Sequence, residues 1–226
     1  ALSLVLSACM IMSCFTAVYA EEAGNSAENP VIISNAAELT DFANAVNSGN
    51  SKEFYKLNDD INLSNVKWIG IGTEEHPFTG SFDGNGHIIS NYSFSVPNRG
   101  RGGLFTYVGT GGSIKKLGVE DANLFLNSDG NWSSVNGGLA AVVSGGTVSE
   151  CYAKNISLGN GGRSPNVSAM SKGSGLVGLL TNNGTVDSCY AVSITVDEAE
   201  VDYDSGVVGE VVSGSTLKNC YTDLYL

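Results

Sequence analysis

Four copies of one pattern limit what this chain can fold into. A Gly-apolar dipeptide opens each copy: Gly103-Leu104, Gly138-Leu139, Gly175-Leu176 and Gly206-Val207. A Ser or Thr follows 10 residues later in three copies and 9 in the second (Ser113, Thr147, Thr185, Thr216). Four residues further on stand Leu117, Cys151, Cys189 and Cys220. The leading glycines recur after 35, 37 and 31 residues, so length varies between copies and hardly inside them. A repeat of this length, in which each unit buries its apolar face only against its neighbours, is the signature of a solenoid.

The strands within a copy are short and lack two-residue hairpin turns, which favours stacked parallel coils over an antiparallel sandwich. The third copy reads as one coil of three strands, Gly175–Leu180, Thr185–Ala191 and Ser193–Val196, with Asn182-Asn183-Gly184 at a corner. Like residues then lie above like. Leu104, Leu139, Leu176 and Val207 form one inward column, Ile114, Val148, Val186 and Leu217 a second, and Leu117 with the three cysteines a third. A column of small buried thiols explains Cys151, Cys189 and Cys220 better than a disulfide with one thiol left over.

Upstream, Pro30-Val31-Ile32-Ile33 reads as a strand. Asn35 and Glu38 then form a capping-box start for a helix whose Leu39, Phe42, Ala43 and Val46 make one apolar stripe, closed by Gly49. An open solenoid end needs a cover, and this helix supplies one. Short strands are expected at Phe54–Leu57, Ile61–Leu63 and Val66–Ile69. Asp83-Gly84-Asn85-Gly86 is the strongest turn signal. Ile89-Ser90-Asn91-Tyr92 aligns with Ile114-Lys115-Lys116-Leu117. The chain divides into an apolar leader (1–20), a linker (21–30), a cap (31–53) and the coils (54–226).

The leader carries no charge and ends Val18-Tyr19-Ala20 before Glu21, the form of a secretory signal peptide cut after Ala20. Leu6-Ser7-Ala8-Cys9 offers the alternative of a lipid on Cys9. The start Met is missing and Tyr221–Leu226 stops inside a strand pattern, so the chain reads as part of a longer secreted or surface protein. With 29 Gly, 15% charged residues and net charge −12, the composition is that of an acidic, turn-rich β protein. The charge argues against nucleic acid and against docking on an anionic membrane.

Gly175-Leu176-Val177-Gly178 and Gly206-Val207-Val208-Gly209 resemble the GLUG motif of bacterial cell-surface proteins. Trp68-Ile69-Gly70-Ile71-Gly72 and Pro77–His87 resemble the segment that leads into it, and the helix followed by Tyr55–Ser64 resembles the preceding cap. Leu139-Ala140-Ala141 and Leu104-Phe105-Thr106 lack the second Gly. Similar repeats occur in adhesin-like proteins and in non-catalytic regions of IgA-cleaving metallopeptidases. The resemblance, which spans residues 31–226, implies an all-β, right-handed parallel β-helix on the bacterial exterior and carries over no catalytic residue or cofactor.

Residue chemistry leads the same way. A β-helix glycosidase needs two carboxylates roughly 5–10 Å apart, and the candidates are Asp59, Asp60, Asp83, Glu120, Asp121 and Asp187. Asp83 and the Asp59-Asp60 pair sit in turns. Asp187 is matched with Glu150, Lys116 and Asn219, an outward position of drifting type. His76 and His87 show no HExxH spacing, and no GxSxG occurs. The acidic run Asp197–Asp204 lacks the spacing of a calcium loop. The expected function is therefore a stalk or adhesin without catalysis of its own, binding a host glycan or an extracellular protein. Its contacts lie in the insertions Pro97–Gly102, Asn127–Asn136 and Gly159–Gly173, where Arg99, Trp132 and Arg163 stand out. The alternatives are a carbohydrate-active lyase or hydrolase and the accessory domain of a secreted peptidase.

Overall fold

The computed structural model describes residues 22–97, 100–127, 134–159, 172–196 and 203–223. They form a parallel β-solenoid with one short helix near the N-terminus. One sheet stacks Val31–Ile33, Phe54–Leu57, Ser81–Asp83, Ser113–Lys115, Thr147–Ser149, Thr185–Asp187 and Thr216–Lys218 in that order, every pair parallel. A second stacks Ile61–Asn62, Ile88–Ser90, Gly118–Glu120, Tyr152–Gly159, Tyr190–Val196 and Tyr221–Asp223, joined by Ser93–Pro97 and Asn123–Asn127. Two further sheets of four strands hold Phe105–Val108, Ala140–Ser144, Val177–Thr181 and Val208–Val211, and Arg101–Gly102, Val135–Gly137, Lys172–Ser174 and Tyr203–Ser205.

Each full coil therefore has four strands, not three. Thr185–Ala191 is divided by Ser188, whose positive φ of 56° turns the chain from the first sheet to the second. Ser193, at φ 55°, only kinks a strand that runs on from Tyr190 to Val196. The added strand opens at Arg101, Val135 or Lys172, inside segments expected to be loops.

Corner residues recur in register. Lys116, Glu150, Ser188 and Asn219 all hold φ between 52° and 56°, and Asn91, Asp121, Asn155 and Ser193 hold φ between 55° and 59°. None is β-branched, as the left-handed region demands. Ser188, not Asp187, is thus the residue matched with Glu150, Lys116 and Asn219. Asp187 stacks with Ser149 and Lys218.

The three inward columns hold. Leu104, Leu139 and Leu176 are fully buried, as are Ile114, Val148 and Val186. Leu217, at the last described level, is 41% exposed. Phe82, not Ile89, pairs with Ile114, and Ile89 pairs with Val119. The turn at Gly84 to Gly86 is longer than the later corners, and its added residues move Ile89 onto the second sheet. Gly84 is required there, because a methyl group would come within 2.4 Å of Lys116 O.

Val66–Ile69 forms no strand. Gly70 and Gly72 adopt φ of 77° and 84°, so only Ile71 and Phe78 make single parallel bridges to Phe105 and Val108. Trp68 is nonetheless buried and donates its Nε1 proton to Leu104 O at 3.3 Å.

Helix α1 (Ala36–Asn47) covers the first coil. Asn35 Oδ1 accepts the Glu38 amide at 3.0 Å, while Glu38 reaches back to the Ser34 amide at 2.7 Å, one residue beyond the usual capping box. Gly49 and Asn50 amides return to Val46 and Ala45 carbonyls, a Schellman stop. The apolar stripe buries Leu39, Phe42, Ala43 and Val46. Phe42 lies 4.2 Å from Tyr55, 5.4 Å from Phe82 and 5.6 Å from Phe78 by ring centroids, so aromatic packing ties the cap to the coils. Asn47 fixes the Trp68–Gly72 segment by bonding Gly70 O at 3.0 Å and the Gly72 amide at 2.8 Å.

Candidate functional surface

The carboxylates named from sequence sit on the outside of the coils, and most are answered by donors from another level. Asp83 pairs with Lys115 at 3.3 Å and caps the Asn85 amide at 2.9 Å. Asp187 meets Lys218 at 3.3 Å and Asn219 Nδ2 at 2.9 Å, and the Asn219 hydrogen bond leads in holding its carboxyl below the usual range. Asp121 occupies a left-handed corner and accepts from Asn155 Nδ2 at 3.0 Å. Asp59 is exposed. The contacts to Lys115, Lys218, Asn219 and Asn155 bridge successive levels, the arrangement by which cross-strand pairs stabilise a sheet, whereas the Asn85 amide bond is local to the turn.

One group is more elaborate. Asp60 accepts the Ile88 amide at 2.9 Å and meets His87 Nδ1 at 3.0 Å, and the amide bond first, then His87, lowers its pKa. Beside it, Glu120 accepts the Tyr152 hydroxyl at 2.8 Å and lies 3.9 Å from Lys154. Burial, then the Glu120 hydrogen bond, pushes the Tyr152 phenol up, so it stays protonated as a donor. Tyr152, Tyr190 and Tyr221 occupy successive levels with ring centroids 5.0 Å apart and planes within 12° of parallel. This ladder was not anticipated, although Cys-Tyr recurs three times in the sequence. Tyr152 and Tyr190 are half-buried and Tyr221 is exposed. His76 lies elsewhere, against Gly49 of the cap.

Arg99, Trp132 and Arg163 lie outside the described residues, as do residues 1–21 with the leader. The anchors of their insertions are described. Outgoing strands stack at Pro97 with Asn127, Phe125 with Gly159, and Leu158 with Val196. Returning strands stack at Arg101 with Val135, Val135 with Lys172, and Lys172 with Tyr203. The connections between them are three, seven, twelve and six residues long. Their anchors stack in two columns, so the strand ends that flank all four lie at adjacent levels.

Behind the returning strands the coil folds back sharply. Leu139, Ala140 and Val143 belong to the main core, while Ala141 and Val142 face the other way and join Val135, Tyr107 and Leu179 in a second small cluster. Lys172 pairs with Glu210 across this arch. The edge that carries the insertions is therefore braced from beneath. Among the described residues no helix is long and apolar enough to cross a membrane.

No family model matches the chain. It is 29% identical over 153 residues to halomucin of Haloquadratum walsbyi (strain DSM 16790 / HBSQ001), an alignment that covers 64% of this chain and 2% of that protein. The chain thus spans a small fraction of the relative's length. Its fold is similar to the crystal structure of a putative immunoglobulin A1 protease from Bacteroides ovatus, with a TM-score of 0.51 and 19% identity, covering 89% of this chain and 77% of that one.

Proposed function

We propose that this chain is a non-catalytic extracellular module that binds glycan, or an extracellular protein, through the edge formed by its insertions. The observation that carries the reading is the stacking of all four insertion anchors in two columns. Loops of different length on adjacent levels of a rigid scaffold are the usual way a repeat protein builds a recognition surface. Arg99, Trp132 and Arg163 fall in three of those loops and supply one aromatic and two guanidinium groups, which suit sugars and acidic substituents. Asp60, Asp83, Glu120, Asp121 and Asp187 are tied into cross-level contacts, which favours scaffold roles for them. An exported location agrees with the apolar leader, the GLUG-like repeats and the similarity to halomucin. The GLUG resemblance also supports a second arrangement, the same module as an accessory part of a secreted peptidase.

The test is a glycan and matrix-protein array probed with the full chain, followed by incubation of each bound glycan and assay for new reducing or unsaturated ends. The reading expects binding without cleavage, weakened about tenfold or more by Trp132→Ala. Product formation would make the chain an enzyme, and absence of binding to every probe would overturn the module reading.

A further inference from the structure

Helix α1 carries a second stripe beside the one it buries. Glu38, Asp41, Phe42 and Ala45 follow at i, i+3, i+4 and i+7, so they lie along one line of the helix. That line is one wall of a cavity of about 340 Å³. The first strand, Val31–Ile33, lines it as well, and Lys52 and Tyr55 help to close it. The volume is that of a small-molecule site, and the lining is mainly apolar with a few polar groups, the make-up such sites have. Ala45 contributes only a methyl group, which leaves open the gap that a longer side chain would fill. Every residue of the cavity belongs to the cap or the first coil, well before the first insertion in the chain.

The polar groups around this cavity are unevenly matched. Lys52 Nζ is already paired with Glu22 at 2.5 Å. Glu38 accepts the Ser34 amide at 2.7 Å, and among the described residues neither Glu38 nor Asp41 forms an ion pair. The exposed rim therefore holds two carboxylates without a counter-charge. The opposite situation holds on the buried side. Tyr55 is 4% exposed, and its hydroxyl accepts the Lys52 amide at 2.5 Å. Among the described residues no acceptor takes the hydroxyl's own proton. Burial pushes the Tyr55 phenol up, so that proton stays in place as a donor. A buried donor without an acceptor is a group that a ligand oxygen can satisfy.

We propose that this cavity binds a small organic cation in which one ammonium group is joined to an apolar body and a carbonyl, as in the α-amino amides of apolar amino acids. The ammonium meets the Asp41 and Glu38 carboxylates at the rim. The apolar body fills the space beside Val31, Phe42 and Ala45, and the carbonyl oxygen accepts the Tyr55 proton. The aromatic lining adds attraction for a cation. Lys52 does not oppose the ligand's charge, because Glu22 already answers it. Binding is reversible and makes no covalent bond.

The experiment is a nuclear magnetic resonance titration of the full chain, labelled at alanine, isoleucine and valine methyl groups, at about pH 6, where an α-amino group is charged. Phenylalaninamide is the probe. Its roughly twelve non-hydrogen atoms, at the usual affinity per atom, give a dissociation constant in the millimolar range. The expected result is saturable shifts of the Val31, Ile32, Ile33 and Ala45 methyls. N-Acetylphenylalaninamide lacks the charge and glycinamide lacks the apolar body, and each binds about tenfold less or weaker. Phenethylamine lacks the carbonyl and binds about threefold less. Ala45→Leu fills the cavity and abolishes binding, while Asp41→Asn weakens it about three- to fivefold, both with unchanged far-UV circular dichroism. No saturable shift at these methyls would overturn the assignment. So would equal binding of any comparison compound, or undiminished affinity in either folded variant.

Discussion

Gly138 and Gly175, the opening residues of two successive repeats, touch through their backbones: a methyl group on Gly138 would lie 2.2 Å from Gly175 O. The obstacle is main chain and has no rotamer to change. Gly138→Ala must push two coils apart or distort the arch, at a cost of about 3 kcal/mol. Gly86 is the contrast. It has φ 84° with nothing within 4 Å of an added methyl, so Gly86→Ala meets only the left-handed penalty of about 1 kcal/mol. Urea denaturation of the two variants should show this threefold difference. Equal losses would mean that the repeat glycines serve backbone conformation and not coil spacing.

The tyrosine ladder should show measurable coupling. Tyr152 and Tyr190 stack at 5.0 Å with planes 4° apart. A double-mutant cycle with Tyr152→Leu and Tyr190→Leu is expected to give an interaction of about 1 kcal/mol. Additive losses would reduce the ladder to independent apolar contacts.

Alkaline pH should loosen the solenoid through Tyr92. This phenol is buried and donates to Gly138 O, and burial raises its pKa far above the ordinary value. The folded state therefore retains a proton that the unfolded chain gives up, so stability is full below about pH 10 and declines as pH rises beyond it. Tyr92→Phe should lose about 1 kcal/mol at neutral pH while flattening the decline above pH 10. Thermal melts at pH 7 to 11 would check it, and an unchanged alkaline slope would contradict it.

Glu150 is a stabilisable position. Its φ of 54° is one that Asn adopts more readily, and Asn219 already holds the equivalent corner. Glu150→Asn should raise stability by about 0.5–1 kcal/mol in urea melts. A loss would show that the Glu side chain makes a contribution the corner geometry does not.

Much of this architecture is written in the spacing. The inward columns and the thiol column follow from the constant spacing inside each copy, which repeats Val148, Val186 or Leu217 and, three residues on across a left-handed corner, Cys151, Cys189 or Cys220 at equivalent places in stacked coils. The fourth strand of each coil was not legible. It begins at residues such as Val135 and Lys172, beside polar and Gly-rich stretches, and its partner is a whole coil away in sequence. Val66–Ile69 has strand composition, yet Gly70 and Gly72 interrupt its extended path. Alignment by residue type also misplaced Ile89 and Asp187, since two extra turn residues at Gly84 to Gly86 and one corner residue at Ser188 shift the register without altering the pattern. The surface is less legible than the core. Tyr152 and Glu120 meet only because coils 32 residues apart are stacked.

The most direct test of the central claim is to replace residues 160–171 by the three-residue connection 98–100 and measure both folding and array binding. The account predicts an unchanged β-rich circular dichroism spectrum and a melting temperature within a few degrees, since the replacement lies outside the stacked strands, together with loss or redirection of ligand binding. Unfolding of the variant would contradict the claim that the insertions hang from a self-sufficient solenoid. Full folding with the binding profile intact would contradict the claim that their shared edge is the recognition surface.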